Sequence, residues 1–135
     1  MTEKIQSILI LDDEVTIRDS FADYFEDHGW HVLRAASGEE ALEVLAVEVT
    51  DCVLVDIRLP GMSGDSFIRE VHEKYSVPPI SLVVTGSSEY CLPRDVAALP
   101  RVIEKVFSKP VMNLEELETM LHQKIKYCSK GNIHD

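Results

Sequence analysis

The order of short apolar runs and helical patterns along the chain is the feature that most constrains its fold. Compact apolar runs, such as residues 8–11 and 52–55, alternate with stretches in which apolar residues recur every three or four positions. Runs that are apolar on both faces are expected where helices cover both sides of a parallel sheet. Five β/α repeats with right-handed crossovers therefore predict an α/β domain with one doubly wound, five-stranded parallel sheet, whose ligands bind at the carboxyl ends of the strands.

Several of the predicted elements begin or end at recognisable signals. The first helix ends at Gly29, the second begins with a capping box of Ser37 and Glu40, and the last begins with Asn113 and Glu116. We predict strands at residues 8–11, 31–36, 52–55, 80–84 and 102–107, and helices at about 17–28, 37–45, 64–75 and 113–125.

The segment at residues 87–105 is less regular than the rest. It contains Pro93 and Pro100, and proline inside a helix removes a hydrogen bond and clashes with the preceding turn. We therefore expect a short or irregular fourth helix.

Length and composition limit what the chain can be. Its 135 residues suit one folded module, and we predict a domain over residues 1–128 with a tail over 129–135. The 13 Lys and Arg against 24 Asp and Glu give a net charge of −11, which disfavours direct nucleic acid binding because that binding neutralises phosphates with basic side chains. We expect no signal or membrane segment, because the apolar stretch at residues 5–11 is too short, and the three cysteines are widely spaced. We expect a cytoplasmic protein with free thiols.

Polar residues follow the predicted strands in a coherent set. Asp12 and Asp13 follow the first strand, Asp56 the third, Thr85 the fourth and Lys109 the fifth, so a parallel sheet brings them to one edge. Three carboxylates that lie together raise one another's pKa unless a cation is among them. With one Lys they carry a formal charge of −2, which one divalent cation balances. Oxygen ligands suit a hard cation such as Mg²⁺.

The same set suits transfer of a phosphoryl group to an aspartate. Asp56 would attack as the nucleophile, while Mg²⁺, Thr85 and Lys109 hold the phosphoryl oxygens. Each residue taken alone is more commonly a helix cap, because Asp and Thr often cap helices at strand-to-helix turns. Five such groups at successive strand ends favour the functional interpretation.

Four motifs, taken in their order along the chain, resemble those of the receiver domain of two-component response regulators. They are Ile-Leu-Ile-Leu-Asp-Asp-Glu at residues 8–14, Val-Leu-Val-Asp-Ile-Arg-Leu-Pro-Gly-Met-Ser-Gly at residues 53–64, Thr85-Gly86 and Lys109-Pro110. Each motif alone is weak, whereas the ordered set is highly specific and covers nearly the whole chain. The resemblance implies the flavodoxin-like receiver fold with strand order 2-1-3-4-5.

The resemblance also implies a phosphorylation site and a metal site. Asp56 would be the phosphoacceptor, charged from the phosphohistidine of a histidine kinase or phosphotransfer protein. Asp13, the Asp56 carboxylate and the backbone carbonyl of Arg58 would bind Mg²⁺, and Asp12 would contribute mainly through water.

The resemblance implies, further, how phosphorylation changes conformation. Thr85 would swing toward the phosphoryl group, and Lys109 would pair with it. The Lys109-Pro110 bond would be cis and would aim the lysine into the pocket, although a plain turn is the alternative because Pro often follows a strand.

The sequence departs from the family pattern at the switch aromatic, as well as in the irregular segment at residues 87–105. The family carries a Tyr or Phe three residues before the lysine, whereas this chain has Val106 there and Phe107 one residue later. Either the register shifts or the switch aromatic is absent. Arg58 and Ser87 occupy positions that flank the entry path of the hydrolytic water in the family, and Arg58 is either a shield for the phosphoryl group or an ordinary surface residue.

Three functions are compatible with these observations. The first is a phosphoaccepting switch that acts through protein contacts with an unknown effector, with a homodimer through the fourth-helix to fifth-helix face as one option. The second is a small Mg²⁺-dependent phosphohydrolase with an aspartyl nucleophile, which is disfavoured because Arg58 stands where such enzymes need a second acid. The third is a phosphate-independent interaction module, which is disfavoured because all five polar groups are present.

Overall fold

A computed structural model describes residues 4–133, and the side chains of residues 4–129. Strands and helices alternate along the chain. The strands are β1 (Ser7–Leu11), β2 (His31–Ala35), β3 (Cys52–Asp56), β4 (Ile80–Thr85) and β5 (Phe107–Ser108), and the helices are α1 (Val15–Asp27), α2 (Gly38–Val47), α3 (Gly64–Lys74), α4 (Arg94–Ala97) and α5 (Leu114–Ile133).

The five strands form one parallel sheet in the order β2-β1-β3-β4-β5. The predicted fold class and strand order are therefore confirmed. β1 and β3 are neighbours in the interior of the sheet, where Leu11 is paired with Val55, so the residues that follow these two strands emerge side by side.

Two apolar layers cover the faces of the sheet. Successive side chains of a strand point to opposite faces, so each central strand supplies both layers. In β1, Ile8 and Ile10 lie in the layer that contains residues of α1 and α5, while Leu9 and Leu11 lie in the layer that contains residues of α2, α3 and α4. This explains why the central strands are apolar at every position.

The last strand is shorter than predicted. The apolar pattern at residues 102–107 predicted one continuous strand, but only Phe107 and Ser108 pair with β4, and Val102 forms an isolated bridge with Ser81. Val102 and Ile103 are buried all the same. They satisfy the apolar pattern by packing into the two core layers, so the strand prediction was wrong in its extent.

The fourth and fifth helices frame this irregular edge. α4 has only four residues, which confirms the predicted short helix. α5 continues to Ile133 and so enters the segment predicted as a tail, whose last two residues lie outside the described part of the chain. No helix among residues 4–133 is both long and apolar enough to cross a membrane.

Predicted helix caps form at two helices. The Ser37 hydroxyl accepts a hydrogen bond from the amide of Glu40 at 3.1 Å, and the Glu40 carboxylate accepts one from the amide of Ala36 at 3.0 Å. At α5 the side-chain oxygen of Asn113 accepts from the amide of Glu116 at 3.0 Å. Each cap satisfies an N–H group that the first turn of a helix leaves unpaired.

A polar contact joins α5 to the end of α1. The Glu118 carboxylate accepts hydrogen bonds from the Trp30 indole at 2.8 Å and from the Tyr24 hydroxyl at 2.9 Å. Burial opposes the charged form of Glu118, but these hydrogen bonds outweigh burial and lower its pKa. Burial and the Glu118 carboxylate raise the pKa of Tyr24 to about 12.

Replacing Glu118 by alanine should lower the free energy of unfolding by about 1–3 kcal/mol, because the Trp30 indole loses its acceptor while it stays buried. Urea unfolding at pH 7 measures this change. The contribution is present above the ordinary carboxyl pKa and is lost as the pH falls through the lowered pKa of folded Glu118, so the difference from the unmodified chain should shrink in acid.

The control is Glu115→Ala, which removes the same charge from an exposed position of α5. It should change stability by about 0.5 kcal/mol or less. Equal losses in the two variants would mean that the general charge of α5, and not the Glu118 contact, stabilises the helix.

Candidate functional site

The polar residues predicted to converge do meet at the carboxyl edge of the sheet. One carboxylate oxygen each from Asp12, Asp13 and Asp56 lie within 4.8 Å of one another. Asp12 and Asp56 are buried, with exposed fractions of 3% and 6%, while Asp13 is exposed. β1 and β3 are neighbours in the sheet, and this pairing brings together acids that are over 40 residues apart in sequence.

Asp12 is hydrogen-bonded at each of its polar atoms. One carboxylate oxygen accepts the amide N–H of Glu14 at 2.9 Å, and the other accepts the Lys109 ammonium at 2.6 Å. Its amide donates to the carbonyl of Ala35 in β2 at 3.1 Å, and its carbonyl accepts a guanidinium N–H of Arg18 at 2.8 Å. Asp12 thus links β2, the start of α1 and the turn after β5.

Lys109 bridges the two buried carboxylates. Its Nζ lies 2.6 Å from Asp12 Oδ2 and 3.3 Å from Asp56 Oδ2. Burial alone would lower the pKa of Lys109, but the two carboxylates reverse that effect and raise it. The backbone N–H of Lys109 donates to the carbonyl of Thr85 at 2.8 Å, and the Lys109-Pro110 bond is cis, as the resemblance implied.

The negative charge of the Asp56 carboxylate is only partly balanced by Lys109. Burial raises the pKa of its carboxyl group, the Lys109 ammonium opposes that rise, and the charges of Asp12 and Asp13 add to it. The net effect is a raised pKa. A buried carboxylate in this state is stabilised by any further cation that reaches its oxygens.

The other two predicted residues lie at the edge of this cluster. Thr85 is buried, and its hydroxyl accepts the amide N–H of Ser87 at 3.1 Å, so its side chain is bound to its own loop. Its link to Lys109 runs through the backbone. Arg58 lies in the loop after β3 with an exposed side chain.

The loop after β3 is packed tightly under Asp56. The amide of Gly64 donates to the carbonyl of Ile57 at 3.1 Å, and a Cβ at Gly64 would lie 2.4 Å from the carbonyl oxygen of Asp56. Sequence reasoning explained this glycine only as part of a turn. Its real constraint is the close approach of α3 to the phosphoacceptor candidate, which only the folded backbone reveals.

Arg18 is a site residue that sequence reasoning missed. It lies in α1, six positions after Asp12, and its guanidinium contacts the Asp12 carbonyl. The only available signal was a basic side chain shortly after an acidic turn, which is too common to single out a residue.

Phe107 does not take the place of the switch aromatic that the family carries at the position of Val106. Phe107 is buried in the core layer with α1 and α5, whereas Val106 packs against the opposite layer with α2, α3 and α4. The two side chains face opposite sides of the sheet, so Phe107 does not stand in for an aromatic at Val106. The family position is occupied by valine.

A groove of about 440 Å³ lies beside the cluster. Its floor is mostly apolar, and Lys109 and Gly86 connect it to the acidic site. The remaining lining residues come from the start of α1 and from the segment that leads into α5: Glu14, Thr16, Ile17, Ser20, Phe21, Pro110, Val111 and Leu114.

The donor set fits a hard divalent cation. The cluster offers three carboxylates with oxygen ligands only, and the single lysine compensates part of their charge. Burial and the remaining repulsion between the carboxylates raise the pKa of Asp56. The residues present therefore suit Mg²⁺, which accepts one or two carboxylates and retains water and phosphate oxygens.

Comparison with known proteins identifies the class that this fold and site define. A family model described as the response regulator receiver domain matches residues 8–122. The chain belongs to this family, whose members are signalling switches of two-component systems.

Individual relatives agree with this assignment. Response regulator RR06 of Streptococcus pneumoniae serotype 2 is 32% identical over 80 residues, which is 59% of this chain. The chain spans about 37% of the length of that relative. The CheY-like receiver domain protein of Methanospirillum hungatei is 29% identical with a TM-score of 0.76, over 92% of this chain and 99% of that one.

Two further solved structures match over most of the chain. The chemotaxis response regulator CheY4 of Vibrio cholerae is 26% identical with a TM-score of 0.73, over 90% of this chain and 99% of that one. The signal receiver domain of an HD domain-containing protein of Pseudomonas fluorescens has a TM-score of 0.81 over 92% of this chain and 97% of that one. It is 22% identical, so it shows the shared fold alone.

Replacing Gly64 by alanine should lower the free energy of unfolding by about 1–3 kcal/mol, because the new methyl group overlaps the carbonyl oxygen of Asp56 and forces the start of α3 away. Urea unfolding measures the loss. The matched control is Gly86→Ala at the same edge of the sheet, where a Cβ has no atom within 4 Å and stability should be unchanged. A Gly64→Ala variant as stable as the control would contradict the close packing described here.

Proposed function

We propose that this chain accepts a phosphoryl group on Asp56 from the phosphohistidine of a histidine kinase or phosphotransfer protein, and that phosphorylation switches its contacts with other proteins. The observation that carries the proposal is the buried Asp56 carboxylate beside two further acids and 3.3 Å from the Lys109 ammonium. Membership of the receiver family supports the same role.

Asp56 is the nucleophile in this proposal. One of its carboxylate oxygens forms the new bond to phosphorus while the bond between phosphorus and the imidazole nitrogen of the donor breaks. The imidazole leaves with the electron pair and recovers a proton from solvent. Because the attacking group is a carboxylate, this chain needs no general base for the step.

The Lys109 ammonium stabilises the negative charge that develops on the phosphoryl oxygens during transfer. The ammonium already lies between Asp12 and Asp56, and Asp12 holds it there at 2.6 Å. A phosphoryl oxygen on Asp56 gives this ammonium a further strong acceptor within reach. Electrostatic stabilisation by a positioned cation of this kind contributes more in a buried site than in water.

The metal site is proposed on the same residues. Asp13, the Asp56 carboxylate and the backbone carbonyl of Arg58 would hold Mg²⁺, and Asp12 would act mainly through water. The commitment of both Asp12 carboxylate oxygens to Glu14 and Lys109 supports this indirect role. When bound, the metal supplies neutralisation of the charge on the phosphoryl oxygens.

Thr85 is the proposed link between phosphorylation and conformation. Its hydroxyl now accepts from the amide of Ser87. If that hydroxyl turns to donate to a phosphoryl oxygen, this hydrogen bond weakens and the segment between β4 and α4 changes position. Phosphorylation then biases two arrangements of the segment through a single new contact.

The two alternative functions, a phosphohydrolase and an interaction module, fit the site less well. An aspartyl phosphohydrolase needs an acid two residues after its nucleophile, and this chain has an exposed arginine, Arg58, at that position. A phosphate-independent interaction module does not require a buried carboxylate beside a lysine and two more acids. The switch is therefore the better proposal.

The partners follow from this role. A phosphodonor protein supplies the phosphoryl group, and an effector, either separate or part of a longer chain, receives the signal. We retain two further predictions from the sequence as parts of this proposal, a cytoplasmic location and a homodimer through the α4–α5 face.

Incubation with Mg²⁺ and acetyl phosphate should add one phosphoryl group to the chain, and intact-mass measurement detects it. The adduct should require Mg²⁺ and should be absent from Asp56→Asn, which keeps the side-chain volume but loses the nucleophilic carboxylate. The control is Asp23→Asn, which changes an exposed acid of α1 and should be phosphorylated as well as the unmodified chain.

Absence of an adduct from every variant, with Mg²⁺ and over a range of phosphodonors, would contradict the proposal and would leave the interaction module. An adduct that persists in Asp56→Asn would show that another residue accepts the phosphoryl group.

A further inference from the structure

We propose that Arg18 is a positioning residue of the metal site: its hydrogen bond to the Asp12 carbonyl fixes the turn that presents Asp13 to Mg²⁺. The inference rests on the proposed function, because it assigns Arg18 a part in the same site. Arg18 is half-buried, and one of its terminal nitrogens donates to the carbonyl oxygen of Asp12 at 2.8 Å.

The guanidinium of Arg18, like that of Arg101, is bonded to a backbone oxygen. Within the part of the chain that the structure describes, the guanidinium of Arg18 forms no ion pair with a carboxylate. Arg34, by contrast, pairs with Asp19 and Glu26. With 24 acidic residues available in the sequence, the guanidinium of Arg18 is instead bonded to a neutral backbone oxygen at the metal site.

Asp13 depends on its backbone for its position. Its side chain is exposed and, among the described residues, accepts no hydrogen bond, although one of its oxygens lies within 4.8 Å of those of Asp12 and Asp56. The peptide unit between Asp12 and Asp13 is planar, so the direction of the Asp12 carbonyl sets where the Asp13 N–Cα bond points. A bond that fixes this carbonyl therefore orients Asp13.

Repulsion makes such a restraint necessary. Asp13 lies beside two buried acids, and the repulsion that Lys109 leaves unbalanced favours turning the exposed carboxylate outward to solvent. The amide side of Asp12 is fixed by Ala35 in β2, and the carbonyl side by Arg18 in α1. The turn is thus held from both sides by hydrogen bonds within the protein. Contacts of this kind to the groups around a metal site typically change affinity by 10–100-fold.

Charge and positioning predict opposite effects when Arg18 is removed. If Arg18 acted only as a positive charge near the site, its loss would tighten binding of a cation. If Arg18 positions the turn, its loss should weaken that binding, because Asp13 no longer stays beside Asp56. The sign of the change therefore separates the two roles.

The experiment measures Mg²⁺ affinity by isothermal titration calorimetry on the intact chain. Arg18→Met keeps the length and apolar stem of the side chain but removes its donors, and Mg²⁺ affinity should fall by about 10-fold or more. Arg18→Lys restores a donor and the charge and should recover most of the affinity. The control, Arg34→Met, removes one positive charge from the neighbouring strand β2 and should leave affinity unchanged or slightly raised.

A second readout excludes a merely structural role. At saturating Mg²⁺, acetyl phosphate should phosphorylate Arg18→Met at a rate within about 2-fold of the unmodified chain, because the cation then holds Asp13 in place. Unfolding in urea confirms that each variant is folded under the assay conditions. If Arg18→Met is not folded, Arg18→Gln, which retains an amide donor without the charge, replaces it and should bind Mg²⁺ more tightly than Arg18→Ala.

The outcomes separate this inference from the proposed function. Unchanged or tighter Mg²⁺ binding by Arg18→Met, or a rate that stays low at saturating Mg²⁺, would overturn the positioning role while phosphorylation of the unmodified chain still stands. If the unmodified chain neither binds Mg²⁺ nor accepts a phosphoryl group, the proposed function itself fails.

Discussion

The burial of Asp12 and Asp56 at the carboxyl edge of the sheet is the constraint on which the rest of the structure depends. Two carboxylates removed from water beside a third acid are unstable unless positive charge reaches them. Lys109 supplies part of that charge, 2.6 Å from one and 3.3 Å from the other. The turn after β5 must therefore lie against the ends of β1 and β3, although β5 itself pairs over only two residues.

The site is held more firmly on one side than on the other. Asp12 is bonded to β2, to the start of α1 and to Lys109. Thr85, on the other side, is bonded through its hydroxyl to the next loop, and the helix beyond that loop has only four residues. An acidic half with many hydrogen bonds and a Thr85 half with few suit a switch, because segments with fewer such contacts change conformation at a lower cost in free energy.

Sequence reasoning succeeded where local pattern and strand order act together. The alternation of strands and helices predicted the sheet, and the position of each polar residue directly after a strand predicted the cluster around Asp56. Sequence reasoning failed where an apolar pattern was compatible with two different structures. Val102 and Ile103 are buried without belonging to a continuous strand, because packing into the core satisfies them as well as sheet pairing does. The role of Gly64 beneath Asp56 was invisible for a related reason, since no local rule reports which backbone lies opposite a glycine.

The sequence by itself determined the fold class, the set of residues at the carboxyl edge and the family. The fold class follows from the hydrophobic periodicity, the set of edge residues from their positions directly after the strands, and the family from the resemblance of four ordered motifs. Only the tertiary structure decided which neighbours those residues have: that Lys109 joins Asp12 to Asp56, that Phe107 faces away from the side where Val106 packs, and that Arg18 reaches the Asp12 carbonyl. The physical reason is that hydrogen bonds and ion pairs depend on distances of a few ångströms between elements remote in sequence, and such distances exist only after the two core layers have packed.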